Sequence, residues 1–270
     1  MLLRAISVLS LVFAAALYLC LSCTLWLVPV LFIGCFLALL LIAFLVLWAF
    51  SAAVDTNTPQ EHDSKLYRRI VMLYIEALIP LAGLKMEVTG LEKMPDVKRI
   101  MLVCNHQNEA DPGILMHYFK RNRLAFIAKR EAGSMFVVGK LMHKMLCQRI
   151  NRENDREALK TILTCIDIIR DDRMSVGVFP EGYIHGDNLL HPFRHGVFKI
   201  AQRTGVPIVV CTLQGTQHVL KNAVKLKPSS VQMHLVGVIE EVKGRNTVEL
   251  GEQAYRMMAD DLGPELVLPR

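Results

Sequence analysis

RIMLVCNHQNEADPGILMHYFKR, residues 99–121, moves from one kind of pattern to another within a single stretch. The run 99–106 is of strand length and apolar almost without interruption, as a strand covered on both faces is. Asp111 and Pro112 then read as a helix start, with Asp at the N-cap and Pro in the first helical position, and PGILMHYFKR follows with apolar residues at helical spacing. A buried strand feeding a short polar loop and then a helix is the unit of an α/β sheet.

The same unit recurs downstream. RLAFIAK (123–129), MSVGVFPEG (174–182), VPIVVCTLQG (206–215) and VQMHLVGVIE (231–240) are further strand-length runs rich in Val and Ile. Helical stretches separate them: AGSMFVVGKLMHKM, ENDREALKTILTCIDIIRDD and FRHGVFKIAQRTG. The alternation predicts a mostly parallel central sheet flanked by helices. Functional groups of such sheets gather at the carboxyl ends of the strands. His106 and Glu181 both fall there.

The N-terminal part is of another kind. The chain has 270 residues, a formal charge of +6 and 53% hydrophobic residues, and no charged residue lies between Ala5 and Val54. That length suffices for two bilayer spans of about 20 residues each. Pro29 and Gly34, in LVPVLFIGC, suggest a break between two apolar helices. We read 1–54 as a membrane-embedded helical hairpin, either crossing twice or dipping into one leaflet. A single span followed by an interfacial helix and a cleaved signal peptide are the alternatives. Arg4 on one side and Lys65, Arg68 and Arg69 on the other place both flanks in the cytoplasm by the positive-inside rule. Residues 55–84 are a polar linker, DTNTPQEHD (55–63), and an interfacial helix, KLYRRIVMLYIEALIPLAG (65–83). Residues 85–270 are the candidate catalytic domain.

Seven cysteines, at 20, 23, 35, 104, 147, 165 and 211, are odd in number and irregularly spaced. This excludes a disulfide framework and fits a reducing compartment; Cys20 and Cys23 fall in the apolar segment. Basic residues crowd 120–152, with Glu131 the one acid. Most of that belt reads as a solvated face near anionic lipid, while Arg149, closing KMLCQR, suits capture of a phosphate.

The residues that carry chemistry are His106, Asp111 and Glu181. Across a strand-to-helix turn Asp111 can accept a hydrogen bond from one imidazole nitrogen of His106, leaving the other as a general base. Spacing alone leaves open that Asp111 only caps the helix and His106 only bonds backbone. Glu181, in FPEGYIHG, is either a solvated strand-end charge or a carboxylate for substrate hydroxyls, and Gly182 allows a close approach to the backbone.

The blocks also occur in an order. HxxxxD comes first, an arginine about 40 residues on, FPEG about 30 further and VPIV about 25 further. In this order the sequence resembles the membrane phospholipid acyltransferases of the PlsC type, the 1-acylglycerol-3-phosphate acyltransferases, over roughly residues 80–240. The resemblance implies that Asn105, His106 and Asp111 form the catalytic block. His106 would deprotonate a glycerol hydroxyl and Asp111 would hold the imidazole. The alkoxide would attack the thioester of an acyl-CoA or acyl-carrier protein directly. It further implies that Arg149, helped by Arg152, binds phosphate, that Phe179, Pro180, Glu181 and Gly182 bind the acceptor, and that Val206–Val209, with Pro207, line the acyl or acceptor site. No metal and no cofactor beyond the thioester cosubstrate are expected, and the partners are membrane lipid and the acyl donor, not nucleic acid. The chain departs from the family pattern in two places. Tyr183 and Ile184 stand where FPEGTR would supply an arginine, so phosphate binding rests on Arg149 with Arg152, Arg194 or Lys199; and Asn108 stands where serine is common. Other acceptors, such as another lysolipid or glycerol 3-phosphate, fit the same chemistry. A metal-dependent membrane hydrolase using His106, Asp111, Glu181 and His185, and a non-catalytic membrane adaptor, are the competing classes.

Overall fold

The computed structural model describes residues 1–21 and 24–269. Its centre is strand β2 (Met101–Cys104), with all four residues buried. Around it stand β1 (Leu84–Thr89), β3 (Leu124–Lys129), β4 (Gln148–Ile150), β5 (Ser175–Val178), β6 (Ile208–Gln214) and β7 (Ser229–Ile239), in the spatial order β1-β7-β6-β2-β5-β3-β4. β6, β2, β5, β3 and β4 run parallel, β7 is antiparallel to β6, and β1 is parallel to β7. The sheet is therefore mostly parallel, as the sequence predicts. β1 and β4 were not foreseen: β1 alternates half-buried and exposed residues at the sheet edge, and β4 has three residues.

Helices cover both faces. On one, α6 (Asp155–Arg170), α7 (Lys199–Thr204) and α9 (Thr247–Leu262) bring Ile162, Ile166, Ile200 and Met258 onto Val176, Val178, Ile208 and Val210. On the other, α3 (Lys65–Leu81) and α4 (Asp111–Tyr118) bring Met72, Ile75, Ile114 and Leu115 onto Leu102, Cys104, Val209 and Cys211. The short helices α5 (Val138–Lys144) and α8 (Val219–Val224) lie in connections.

The N-terminal segment forms two helices that pack on one another, α1 (Leu2–Leu21) and α2 (Val28–Ala52), both long and apolar enough to cross a membrane. The break falls earlier than Pro29 and Gly34 suggest. A 3₁₀ turn spans Leu25–Leu27, Pro29 occupies the first turn of α2, and Gly34 lies inside that helix. Proline needs no hydrogen-bonded N–H in a first turn, so it starts this helix instead of ending one. Cys23 lies outside the described residues.

Two further expectations are corrected. Asp111 is not the N-cap of α4 but its first residue, Ala110 preceding it. Arg68 is not a solvated flank of the membrane segment. It is buried, its Nε 2.9 Å from both oxygens of Asp63, and its Nη2 donates to the carbonyls of Leu124 (3.2 Å) and Met145 (3.3 Å). Arg123, counted in the basic belt, pairs with the same carboxylate. The polar linker thus ends in a buried anchor that ties α3 to the start of β3. Truncating one partner of a buried pair strands the other charge. Asp63→Ala should lower stability by about 3 kcal/mol, read as a fall in the thermal midpoint in detergent. An unchanged midpoint would show that the anchor contributes nothing.

Candidate active site

β2 delivers its carboxyl end to a loop held by side chains in place of strand pairing. Asn105 is buried and its amide imitates a peptide: Nδ2 donates to the Leu213 carbonyl (2.8 Å) and Oδ1 accepts from the Leu213 N–H (2.7 Å). This extends the β2–β6 ladder by one residue beyond Cys104 and fixes where His106 begins. Asp111 is fully buried, and its Oδ2 accepts from His106 Nδ1 (2.9 Å), the Gln107 N–H (2.8 Å) and the Asn108 N–H (2.8 Å). An ionised carboxylate only accepts, so the imidazole proton sits on Nδ1. His106 Nε2 has no hydrogen-bond partner among the described residues. Phe179 stacks on the His106 ring at 4.0 Å between centroids and 15°, and Phe126 stacks on Phe179 at 5.4 Å. Oδ1 of Asp111 is buried without a hydrogen-bond partner, an unfavourable arrangement of the kind concentrated at functional sites.

Glu181 comes to this loop from β5. It is 5% exposed; Oε1 accepts from the His106 N–H (2.8 Å) and Oε2 from the His191 N–H (2.9 Å). It is therefore not a solvated charge, and what it grips is backbone. Burial pushes its pKa up to about 7, while the two amide bonds pull the other way. Gly182 has φ +88°, which favours glycine, and a Cβ there would stand 3.0 Å from Arg194 Nε. The close approach at Gly182 is made by an arginine of the chain itself. The guanidinium carbons of Arg152 and Arg194 lie 4.9 and 5.3 Å from the centre of the Tyr183 ring, within cation–π range. Two guanidinium groups thus collect beside the turn where the family pattern would place one. Pro180 accepts from the Arg194 N–H through its carbonyl (2.9 Å), tying that arginine to the FPEG turn.

The other predicted residues are more scattered. Arg149 is exposed on the edge strand β4, three strands from β2 in the sheet order, and its side chain crosses Gly133. Pro207 precedes Ile208, which pairs with Met101 at the amino end of β2, so the structure does not bring it to His106. Lys199 opens α7. Sequence reasoning missed His191, whose N–H on Glu181 closes the loop 183–191 over the site, and the support of the His106 ring by Phe126 and Phe179. A cavity with room for about one water (≈ 10 Å³) lies between His106, Gln107, Glu181 and the 185–189 segment of that loop. His185 and His191 stack at 3.5 Å between centroids, and His191 Nε2 meets Asp187 Oδ2 at 2.8 Å, so these histidines belong to the cover of the site. His106, Asp111, Glu181 and His185 do not converge on one point as a hydrolytic metal site requires. Among the described residues no group of three or more His, Cys, Asp or Glu side chains does so.

Residues 85–214 match the family model described as Acyltransferase. The match covers just under half of the chain. The chain is similar to the probable 1-acyl-sn-glycerol-3-phosphate acyltransferase of Mycoplasma pneumoniae, at 29% identity over 67% of this chain and 66% of the relative. It is also similar to the 1-acyl-sn-glycerol-3-phosphate acyltransferase of Borreliella burgdorferi, at 30% identity over 60% of this chain and 65% of the relative. The chain thus spans just under two thirds of the length of these curated relatives. Among solved structures, the 1-acyl-sn-glycerophosphate acyltransferase PlsC of Thermotoga maritima matches with a TM-score of 0.57, over 95% of this chain and 97% of that one, at 17% identity. The fold is shared.

Glu181 gives the candidate site a pH signature. Its folded pKa, about 7, lies above the ordinary value of 4.5, so the folded state holds the proton more tightly. The contribution to stability is complete below about pH 4.5 and is lost as pH rises through about 7. The loss is on the order of 3 kcal/mol. Unfolding followed from pH 4.5 to 8 should show this decline in the unmodified protein and a flatter profile in Glu181→Gln. Equal slopes in both would remove Glu181 as the titrating group.

Proposed function

We propose that this protein transfers a fatty acyl group from the thioester of acyl-CoA or acyl-carrier protein to the free hydroxyl of 1-acylglycerol 3-phosphate, giving phosphatidic acid. The observation that carries this reading is the His106–Asp111 pair: Nδ1 bound at 2.9 Å to a buried carboxylate, Nε2 unpartnered. The names of the relatives supply the substrate class. Nε2 takes the proton of the acceptor hydroxyl as its oxygen attacks the thioester carbonyl. Asp111 stabilises the imidazolium that forms. Collapse of the tetrahedral intermediate releases the thiolate, which recovers the proton from His106. No acyl-enzyme is needed. The catalytic-domain cysteines 104, 147, 165 and 211 are buried, and burial pushes their pKa values up, which suppresses the nucleophilic thiolate.

Glu181 is a positioning residue in this scheme: it holds the His106 amide and thereby the base, and FPEG forms the acceptor side of the site. Arg152 and Arg194 meet the acceptor phosphate, with Arg149 on the neighbouring edge strand. Burial lowers the pKa of Arg152, and an anion bound beside it would offset that desolvation. α1 and α2 anchor the chain in the membrane, with the basic flanks Arg4, Lys65 and Arg69 and the catalytic domain on the cytoplasmic side.

Purified protein assayed with a thioester donor tests the scheme. His106→Ala should reduce kcat by about 10²–10⁴-fold, the span of general-base catalysis; full activity would eliminate His106 as the base. In an acceptor panel, Arg152→Gln combined with Arg194→Gln should raise KM for lysophosphatidic acid by about tenfold or more. Turnover of an uncharged monoacylglycerol should stay unchanged. A preference of the unmodified protein for the uncharged acceptor would reject the phosphate site.

A further inference from the structure

The connection from β6 to β7 presents three apolar side chains to water: Leu220 is 49% exposed, Val224 87% and Leu226 91%. Single exposed leucines are ordinary on a protein surface. These three fall within seven residues and alternate with Lys221, Lys225 and Lys227, all exposed, and no acidic residue occurs from Gln214 to Ile239. The presentation is built in. Leu226 holds a left-handed conformation, φ +53°, with its N–H on the Ala223 carbonyl (3.1 Å) and the Lys227 N–H on that of Asn222 (2.9 Å). A branched apolar residue adopts such a backbone at a cost, and here the turn aims it outward.

The position of this segment decides what it faces. It leaves the carboxyl end of β6, the end of the sheet that also carries His106 and Glu181. Because β7 and β1 run the other way, Gly83 and Ser229 are at that end too, joined by the Ser229 N–H on the Gly83 carbonyl (3.1 Å). Gly83 follows α3, whose Leu78 and Leu81 are exposed. α2 lies antiparallel to α3: Tyr67 Oη donates to the Phe50 carbonyl (3.1 Å) and Tyr74 Oη to that of Ala43 (2.7 Å). Beyond this second contact α3 has seven residues left, to Leu81, and α2 fifteen, back to Val28. At 1.5 Å per residue these are about 10 and about 22 Å. The hairpin therefore overhangs the end of the sheet at which the lysine–leucine segment also lies.

We infer that residues 219–228 form a second bilayer contact, in which Leu220, Val224 and Leu226 enter the interface and Lys221, Lys225 and Lys227 meet the phosphates of anionic lipids. The inference rests on the reading of α1 and α2 as membrane-embedded. Interleaved apolar and basic side chains are the composition of interfacial segments, and continuity with the exposed end of α3 and the overhanging hairpin selects a lipid leaflet as the occupant over a protein partner. The contact holds the carboxyl ends of β2 and β5 against the leaflet from which a lysolipid would enter.

The test uses the full chain in vesicles containing phosphatidylglycerol and brominated lipid. In the unmodified protein, quenching of Trp26 and Trp48 reports the hairpin. In a Trp26→Phe, Trp48→Phe background, Leu226→Trp reports the segment, and Val248→Trp, on the first turn of α9, is the aqueous control. The expected result is blue-shifted emission, quenched by brominated lipid and shielded from iodide, at position 226 but not at 248. Lys221, Lys225 and Lys227→Gln together should reverse much of that quenching. A quenched hairpin with position 226 open to iodide overturns the second contact and leaves the membrane reading standing. Loss of hairpin quenching overturns both. Equal quenching at 226 in anionic and neutral vesicles removes the lysines from the contact.

Discussion

A carboxylate buried at the end of a strand has to find donors close by, because water cannot supply them. Glu181 finds two, the amides of His106 and His191, and they belong to different loops. One side chain thereby joins the β5 turn, the loop that carries His106 and the loop that covers the candidate site. Asp111 does the same for the next three residues, gathering the His106 ring and two amides on a single oxygen. Neither end of the imidazole is left to flexibility: backbone N–H and ring Nδ1 are each held by a buried acid, and an aromatic face supports the ring. Among the described residues His106 Nε2 is left open while everything around it is tied.

Much of this was legible in the sequence, for physical reasons. Buried parallel strands print as unbroken apolar runs, so β2, β3, β5, β6 and β7 stood out, and the Asp-Pro pair marked the start of α4 to within a residue. The His106–Asp111 contact was one of two readings that the spacing left open, and the structure selects it. What could not be read shares a cause. Main-chain partners leave no residue signature, so Glu181 as the holder of two amides was invisible, as was His191, which contributes only its N–H. Edge strands such as β1 are half solvated and carry too little pattern, and β4 is too short to carry any. Arg68 and Arg123 read as surface charges because their partner, Asp63, sits in what composition marks as a linker.

The two reversed strands at one edge matter beyond topology. In an all-parallel sheet the connection entering an edge strand would arrive at the end opposite the active groups. Here β1 and β7 run against the rest, so the end of α3 and the β6–β7 connection both come to the end of the sheet that carries His106. That reversal brings the end of α3, which packs against α4, and the exposed lysine–leucine segment to the end where α4 begins.

The departure at Tyr183 and Ile184 follows the same logic of replacement at a distance. Removing an arginine from the FPEG turn deletes a positive charge from a place where a phosphate would be met, and a neutral side chain cannot restore it. In the phosphate site proposed above, Arg152 and Arg194 restore it from the end of β4 and from the far side of the covering loop, and Tyr183 supplies the π face that both guanidinium groups meet. Their mutual repulsion is lowest when an anion lies between or beside them, so the pair is arranged for a dianion in a way that a single arginine on the turn is not. Gly182 is part of that arrangement: with any side chain at this position Arg194 would be displaced. The motif thus keeps its glycine for a contact within the chain, and the charge that the motif lost is carried by residues it does not contain.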